Sequence, residues 1–476
     1  MRPGKGPRQR EGEGQGPTDL GYHMAIGVLD SAIFADMFGT PAMRGVFGDD
    51  AFLARCVEVE AALARAEGRL GIIPAEAAAA ISEAARPLID GREGLDMARL
   101  KNETETVGYP ILPLVRQLAK RAGDAGRFVH WGATTQDIMD TAAVLQIRAG
   151  LALIEQDLTA ARGHLAQLAR RYRDTPMAGR THLQHALPVT FGYKAAVWLY
   201  ALDRHAERLR ELRPRVLLAQ FGGAAGTLAS LGNGAESLAT RAELARELAL
   251  GDPPITWHVV RDGIAETVQV LALLLGSLGK IAFDVMLMSA TEFGEAAEPF
   301  IQGRGSSSTM PQKRNPISCE LILAAAKVVR QQAGLVLDAM VTDFERATGP
   351  WHTEWVALPE TFGYAAGALH QARFMLGGLI VDAGRMAKNL AMTHGLIVAE
   401  AVMMGLAPLT GRNEAHDLVY DACRLAIATD RPLLDVLMET PAVAEPLGQG
   451  RLRALTDPAN YLGAAPAMVD RVLAGR

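Results

Sequence analysis

Apolar positions recur every three or four residues from Asp50 to about Arg86, and "DAFLARCVEVEAALARAEGRLG" carries the pattern that predicts two helices there. The next stretch, "MARLKNETETVGYPILPLVRQLAKRAG", is broken by Pro110 and Pro113, so a helix begins near them and ends at Gly123. From Asp137 to about Tyr172 the periodicity hardly breaks. A helix of about 36 residues would be about 54 Å long, more than one small domain holds, and it predicts a bundle. Patterns of similar length run from Pro188 to Leu212, from Gly263 to about Glu292 and from Ser318 to about Phe344. The second of these contains "TVQVLALLLGSLG", apolar on every face, which predicts burial on every side. Such a helix is rarely covered by one copy of a chain, so association through the long helices is expected over a monomer covered by its own loops. Beyond about Thr361 the patterns shorten between "THGL", "LTGRNE" and "TDRP". No stretch shows strand periodicity at any length, and there is no internal repeat. The reading is an all-α chain with a tail over 1–20, an N-terminal helical domain over 21–125, a long-helix bundle over 126–362 and a small helical domain over 363–476.

Composition narrows this. Hydrophobic residues make up 49% of the chain and aromatics only 5%, which suits helices packed closely through small side chains. The 48 basic and 53 acidic residues nearly balance, so nothing advertises a nucleic-acid surface. Cys56, Cys319 and Cys423 are far apart and give neither a disulfide framework nor a metal spacing, as expected in a reducing cytoplasm. The opening "MRPGKGPRQREGEGQGPT" lacks the apolar core of a signal peptide and reads as a disordered tail. The longest uncharged run, Val216 to Ala235, is punctuated by five glycines, so no membrane span is expected and the protein reads as soluble.

Three polar segments sit at the ends of the long helices. In "VHWGATTQDIMDTA", Thr134, Thr135 and Asp137 precede a helix, where they serve either as ordinary caps or as a carboxylate grip at a helix N-terminus. "GRTHLQHALPVTFG" crowds Arg180, Thr181, His182, Gln184 and His185 before the helix that Pro188 is expected to open. Its two histidines lack a third ligand at suitable spacing, so no metal is assigned and His182 is a candidate proton donor or positioning group. In "GRGSSSTMPQKRNP", glycines allow movement, serines offer a hydroxyl, and Lys313, Arg314 and Asn315 supply donors for oxyanions. Neither a G-x-S-x-G elbow nor a phosphate-loop pattern is present, which disfavours serine-hydrolase and nucleotide chemistry.

These three segments, in this order, resemble the signature regions of the fumarase/aspartase superfamily, and "GSSSTMPQKRNP" is similar to its serine-loop signature. The resemblance covers nearly the whole chain after residue 30. "GGAAGTLASLG", "TWHVVRDGIAE", "ATGPWHTEWVALPE", "THGLIVAEAVMMGLAP" and "NYLGAAPAMVDRVL" resemble its 3-carboxy-cis,cis-muconate cycloisomerase branch and that branch's lyase relatives. The resemblance implies a homotetramer of three-domain helical subunits around a twenty-helix core, with each site drawn from three subunits and no cofactor. It implies anti-elimination from a succinate-type substrate, a small di- or tricarboxylate, through an aci-carboxylate intermediate. By motif position Ser307 is the base, with Ser308 as fallback, and Lys313 and Asn315 hold the substrate carboxylate and its developing charge. Thr134 and Thr135 grip a carboxylate, and His182 is the general acid. Arg180, Thr181, Gln184, Thr309 and Met310 line the substrate, and Arg261 and Arg346 contact a carboxylate or the leaving group. His130 and Glu292 support the site or tie helices together as buried polar residues.

Gln312 and "THLQ" depart from the cycloisomerase pattern toward the fumarate-releasing lyases. The preferred model is therefore a nitrosuccinate lyase-like enzyme that expels nitrous acid, with cycloisomerase as the alternative. A non-catalytic crystallin-like scaffold is the reading from another class.

Overall fold

Five helices of 23 residues or more dominate the computed structural model, which describes residues 26–346 and 348–476. They are Thr135–Arg171, Phe191–Val216, Asp262–Ser289, Ile317–Ala339 and Pro350–Gly377. Four follow the apolar periods closely. The fifth does not follow the expected shortening near Thr361. Pro350 sits in its first turn, where a missing N–H costs nothing, and Pro359 lies in its interior without ending it. The boundary expected between 362 and 363 therefore falls inside this helix, and short helices begin only after Gly377. Gly367 lets the chain pass underneath, because a Cβ there would lie 2.0 Å from the Phe38 carbonyl oxygen.

The bundle is one apolar cluster in which Leu151, Leu158 and Leu165 meet Leu271, Leu275, Leu278, Val329 and Leu369. A second cluster joins Leu53, Val57, Leu63, Leu114 and Leu118 to Ile138, Leu145 and Trp351 at one end of the bundle. A third, with Val402, Leu406, Val419, Leu433 and Val443, holds the short C-terminal helices together. The Asp262–Ser289 helix is long and apolar enough to cross a bilayer by length and composition, yet its Leu271, Leu274 and Leu275 are fully buried in the bundle. The expectation of burial on every side is not met within one chain. Leu273 is 55% exposed and Phe283 47%, and Val197 and Tyr200 on the Phe191–Val216 helix are likewise open.

Strands are also present, against the expectation of none. β1 (Pro176–Thr181) and β2 (Gln184–Thr190) form an antiparallel hairpin, and β3 (Ala296–Ala297) pairs with β4 (Ile380–Val381). Pro188 lies inside β2 instead of opening a helix. The helix starts at Phe191, after Thr190 accepts a 3.0 Å bond from the Tyr193 N–H. A two-stranded hairpin tolerates this proline because both strands are edges. The expected tail over 1–20 lies outside the described residues.

The Asp49–Arg69 helix buries two carboxyls, Glu60 and Glu67, and neither Glu67 oxygen has a hydrogen-bond partner. Burial, followed by the Glu60 charge, pushes Glu67 from an ordinary 4.5 up to about 9. Because the folded value is raised, Glu67's contribution to stability is whole below the unfolded value and is lost as pH rises toward 9. At pH 7 this favours unfolding by about 3 kcal/mol. Glu67→Gln should therefore melt higher than wild type at pH 8, with the gap closing by pH 4.5. Thermal melts at both pH values check this, and a gap independent of pH would contradict it.

Candidate active site

The expected site residues gather at two opposite ends of the bundle. At one end, Thr134 precedes the Thr135–Arg171 helix, and Asp137 organises the turn. The buried Asp137 carboxylate accepts the Thr134 N–H at 3.0 Å, the Gly222 and Gly223 N–H groups at 2.9 Å each, and a 2.7 Å bond from His258. The "GGAAG" loop is thereby folded onto the helix start. Arg346 donates to Thr134 Oγ1 at 2.7 Å and to the Ala224 carbonyl at 3.0 Å, so Thr134 and Arg346 are in direct contact. Thr135 is half-buried beside them. His130, in the left-handed region at φ +65°, meets Glu60 at 2.6 Å. Burial works against its charge, but the Glu60 carboxylate outweighs that and raises the imidazole above its ordinary value.

Arg261 lies at this end as well, where it lines a cavity with Asp140, Trp351 and Glu354. It is 3% exposed and donates to both oxygens of Asp140, at 2.7 and 3.0 Å, and to both of Glu354, at 2.9 and 2.5 Å. With those donors committed and the Trp257 ring 5.0 Å from its guanidinium carbon, it joins three long helices. These contacts make it a structural tie.

At the other end stand the hairpin and the serine loop. His182 and Leu183 form the hairpin's two-residue turn, both left-handed at φ +51° and +63°. Such a turn ordinarily takes Asn-Gly, so a His-Leu pair is strained, and strain of this kind gathers at functional sites. Thr181, His182, Leu183 and Gln184 are all exposed on the tip. Arg180, expected on the substrate, makes a two-point ion pair to Glu295 at 2.9 and 2.6 Å. Glu295 is fully buried and also accepts 2.8 Å from Asn389. Arg180 therefore anchors the hairpin through Glu295, and Glu292 is exposed. Nothing in the sequence marked Glu295, which lies 115 residues from its partner. Burial and then the Arg180 charge hold His185 below its ordinary value.

The serine loop leaves the bundle at Gly303 and returns at Pro316. Ser307 Oγ accepts the Thr309 N–H at 3.3 Å and the Met310 N–H at 3.1 Å. Ser308, Thr309, Met310 and Lys313 are exposed around it, and Asn315 is half-buried at the neck. Two amides converging on one hydroxyl oxygen would stabilise negative charge there, as an alkoxide base requires. Among the described residues no group of three His, Cys, Asp or Glu side chains could hold a metal.

The 37-residue Thr135–Arg171 helix separates the ends by about 55 Å of helix length. One chain therefore cannot bring Thr134 and Arg346 to Ser307, Lys313 and His182.

A family model described as "Lyase" matches residues 38–330, and one described as "Adenylosuccinate lyase C-terminus" matches 395–472. Trans-aconitate decarboxylase 1 of Mycosarcoma maydis is 50% identical over 93% of this chain and 89% of its own length. The 3-carboxy-cis,cis-muconate cycloisomerase of Pseudomonas aeruginosa is 49% identical over 93% of this chain and 96% of its own. Nitrosuccinate lyase of Streptomyces davaonensis is 43% identical over 94% and 95%. The crystal structure of fumarate lyase from Mesorhizobium sp. BNC1 superposes with a TM-score of 0.86 at 60% identity, covering 92% of this chain and 99% of that one.

Proposed function

This chain belongs to the fumarase/aspartase superfamily of lyases and cycloisomerases, and from that premise we propose that it is a β-eliminating lyase releasing fumarate from a substituted succinate, with nitrosuccinate as the model substrate. Ser307 takes the proton beside one carboxylate. The electron pair passes into that carboxylate as an aci-form dianion, then returns to form the double bond as the leaving group departs from the neighbouring carbon. Nitrite leaves with its own pair and needs little protonation. His182, at the strained hairpin tip, serves bulkier or more basic leaving groups. Lys313 and Asn315 hold the dianion, and Thr134, Thr135 and Arg346 grip the distal carboxylate.

The observation that carries this reading is the Ser307 hydroxyl with two backbone amides on its oxygen. No such pair of bonds forms at Ser308 among the described residues, which favours Ser307 as the base. The separation of the two groups of residues supports sites completed between copies of the chain, and the apolar stripe through Leu273, Phe283, Val197 and Tyr200 offers the surface for that association. A homotetramer is the assembly proposed.

The second reading is a cycloisomerase acting on 3-carboxy-cis,cis-muconate, supported by the 49% identity to an enzyme of that name. Both readings use the same base and the same anion grip. NMR of the purified protein with nitrosuccinate, argininosuccinate, adenylosuccinate, aspartate and malate, each alone, separates them. Fumarate and nitrite are expected from nitrosuccinate. No fumarate from any of the five, with lactone formed from 3-carboxy-cis,cis-muconate, would overturn the lyase in favour of the cycloisomerase.

A further inference from the structure

The neck of the serine loop is built differently from its tip. Among the described residues, those at the tip, 307–313, hydrogen-bond only within the loop. At the neck the two strands of chain cross tightly. Asn315 N–H donates to the Gly305 carbonyl at 3.0 Å, and Ser306 pairs with Arg314. Gly305 sits at φ +70°, and a Cβ there would lie 2.6 Å from the Asn315 carbonyl oxygen, so the crossing needs glycine twice over.

Below this crossing lies Arg304, which the reaction as described does not use. Its guanidinium donates to Ser318 Oγ at 2.7 Å and to Gln371 Oε1 at 2.8 Å, and lies 4.4 Å from the centre of the Phe374 ring. Ser318 Oγ donates to the same Gln371 oxygen at 3.0 Å. Among the described residues no carboxylate comes within ion-pairing distance of Arg304, and its Nε is buried without a partner. Gln371 is only 6% exposed, between the buried Leu369, Ala372 and Met375. A polar side chain in such a place costs stability unless its bonds are made, and here they are made to the loop neck and the start of the Ile317–Ala339 helix.

We propose that Arg304 is a positioning residue: latched to Gln371 and Ser318, it fixes the loop neck against the Pro350–Gly377 helix and so sets where the Ser307 hydroxyl stands while the tip stays free to close. This rests on Ser307 being the base. A hydroxyl that must meet a C–H bond held by other copies of the chain tolerates little error. A misplacement of about 1 Å costs on the order of 100-fold in rate.

The test uses the full-length protein with Gln371→Ala and Gln371→Glu. A glutamate accepts the same two bonds, whereas alanine accepts neither. Two readouts are taken: the rate of tryptic cleavage at Lys313 and Arg314, which needs no substrate, and kcat and KM with nitrosuccinate. Gln371→Ala is expected to be cleaved several-fold faster and to lose at least about 10-fold in kcat with KM changed less than about twofold. Gln371→Glu should stay near wild type in both. Equal cleavage of all three proteins would overturn the latch. Fast cleavage of Gln371→Ala with wild-type kcat would overturn the positioning role. So would loss of turnover in Gln371→Glu at a wild-type cleavage rate, because the charge on Arg304 would then be what matters. If Ser307→Ala itself turns over, the base assignment fails, while the cleavage rates still decide the latch.

Discussion

Ser307→Ala should lower kcat by about a thousandfold and leave the melting temperature unchanged within error, within the usual 10²–10⁴ range for a positioned proton acceptor. The hydroxyl bonds only to its own loop, so its loss removes no tertiary contact. What disappears is the one oxygen on which the Thr309 and Met310 amides converge. Ser308→Ala is the control, since Ser308 is the same residue one position on, exposed where Ser307 is half-buried. Kinetics and melts of both variants decide the matter. A Ser308→Ala protein as inactive as Ser307→Ala would move the base by one residue. Two active variants would remove the serine from the chemistry altogether.

Arg261→Met should be the most destabilising single change, costing about 3–5 kcal/mol, because it leaves two buried carboxylates facing each other with no cation. Burial already raises Glu354 above its ordinary value, with the Arg261 bonds and charge holding it down. Without Arg261 the Glu354 carboxyl would be raised further. Its contribution would then be whole below the unfolded carboxyl range and lost as pH rises, so the deficit should be smaller at pH 5 than at pH 8. Adding Asp140→Asn and Glu354→Gln should recover much of the loss, since neutral groups need no counter-ion there. Thermal melts of the single and triple variants at both pH values check the argument. A stable Arg261→Met protein that had lost only substrate affinity would favour Arg261 as a substrate contact.

Arg261 also marks where the sequence stops being informative. Residue type and position near a motif suggested a ligand contact, but its partners lie 121 and 93 residues away, and nothing local signals that both would be carboxylates. The long helices were legible because a period of three to four survives any tertiary context. The hairpin was not, because its turn uses His182 and Leu183 where strand pairing is normally announced by Asn and Gly, and Pro188 imitates a helix start. The fifth long helix was hidden by Pro359, which the packing around it tolerates. The three polar segments were readable as a set. Their division between two ends follows from the uninterrupted period that separates Thr134 from His182. Arg304 and Gln371 were beyond reach, since their meeting depends on how two helices pass each other 67 residues apart.

The distance between the two ends has a meaning for descent as well as for chemistry. With the proposed proton acceptor on one tip and the proposed anion grip at the other end of a rigid spacer, the chain can alter one half of its chemistry without disturbing how the other half folds. Selection can then exchange leaving groups, or exchange departure for ring closure, by changing a hairpin tip or a loop neck alone. Relatives named for a decarboxylation, a cycloisomerisation and a nitrosuccinate cleavage are 43 to 50% identical to this chain over 93 to 94% of its length. A spacer of this kind gives one scaffold room for that spread of reactions.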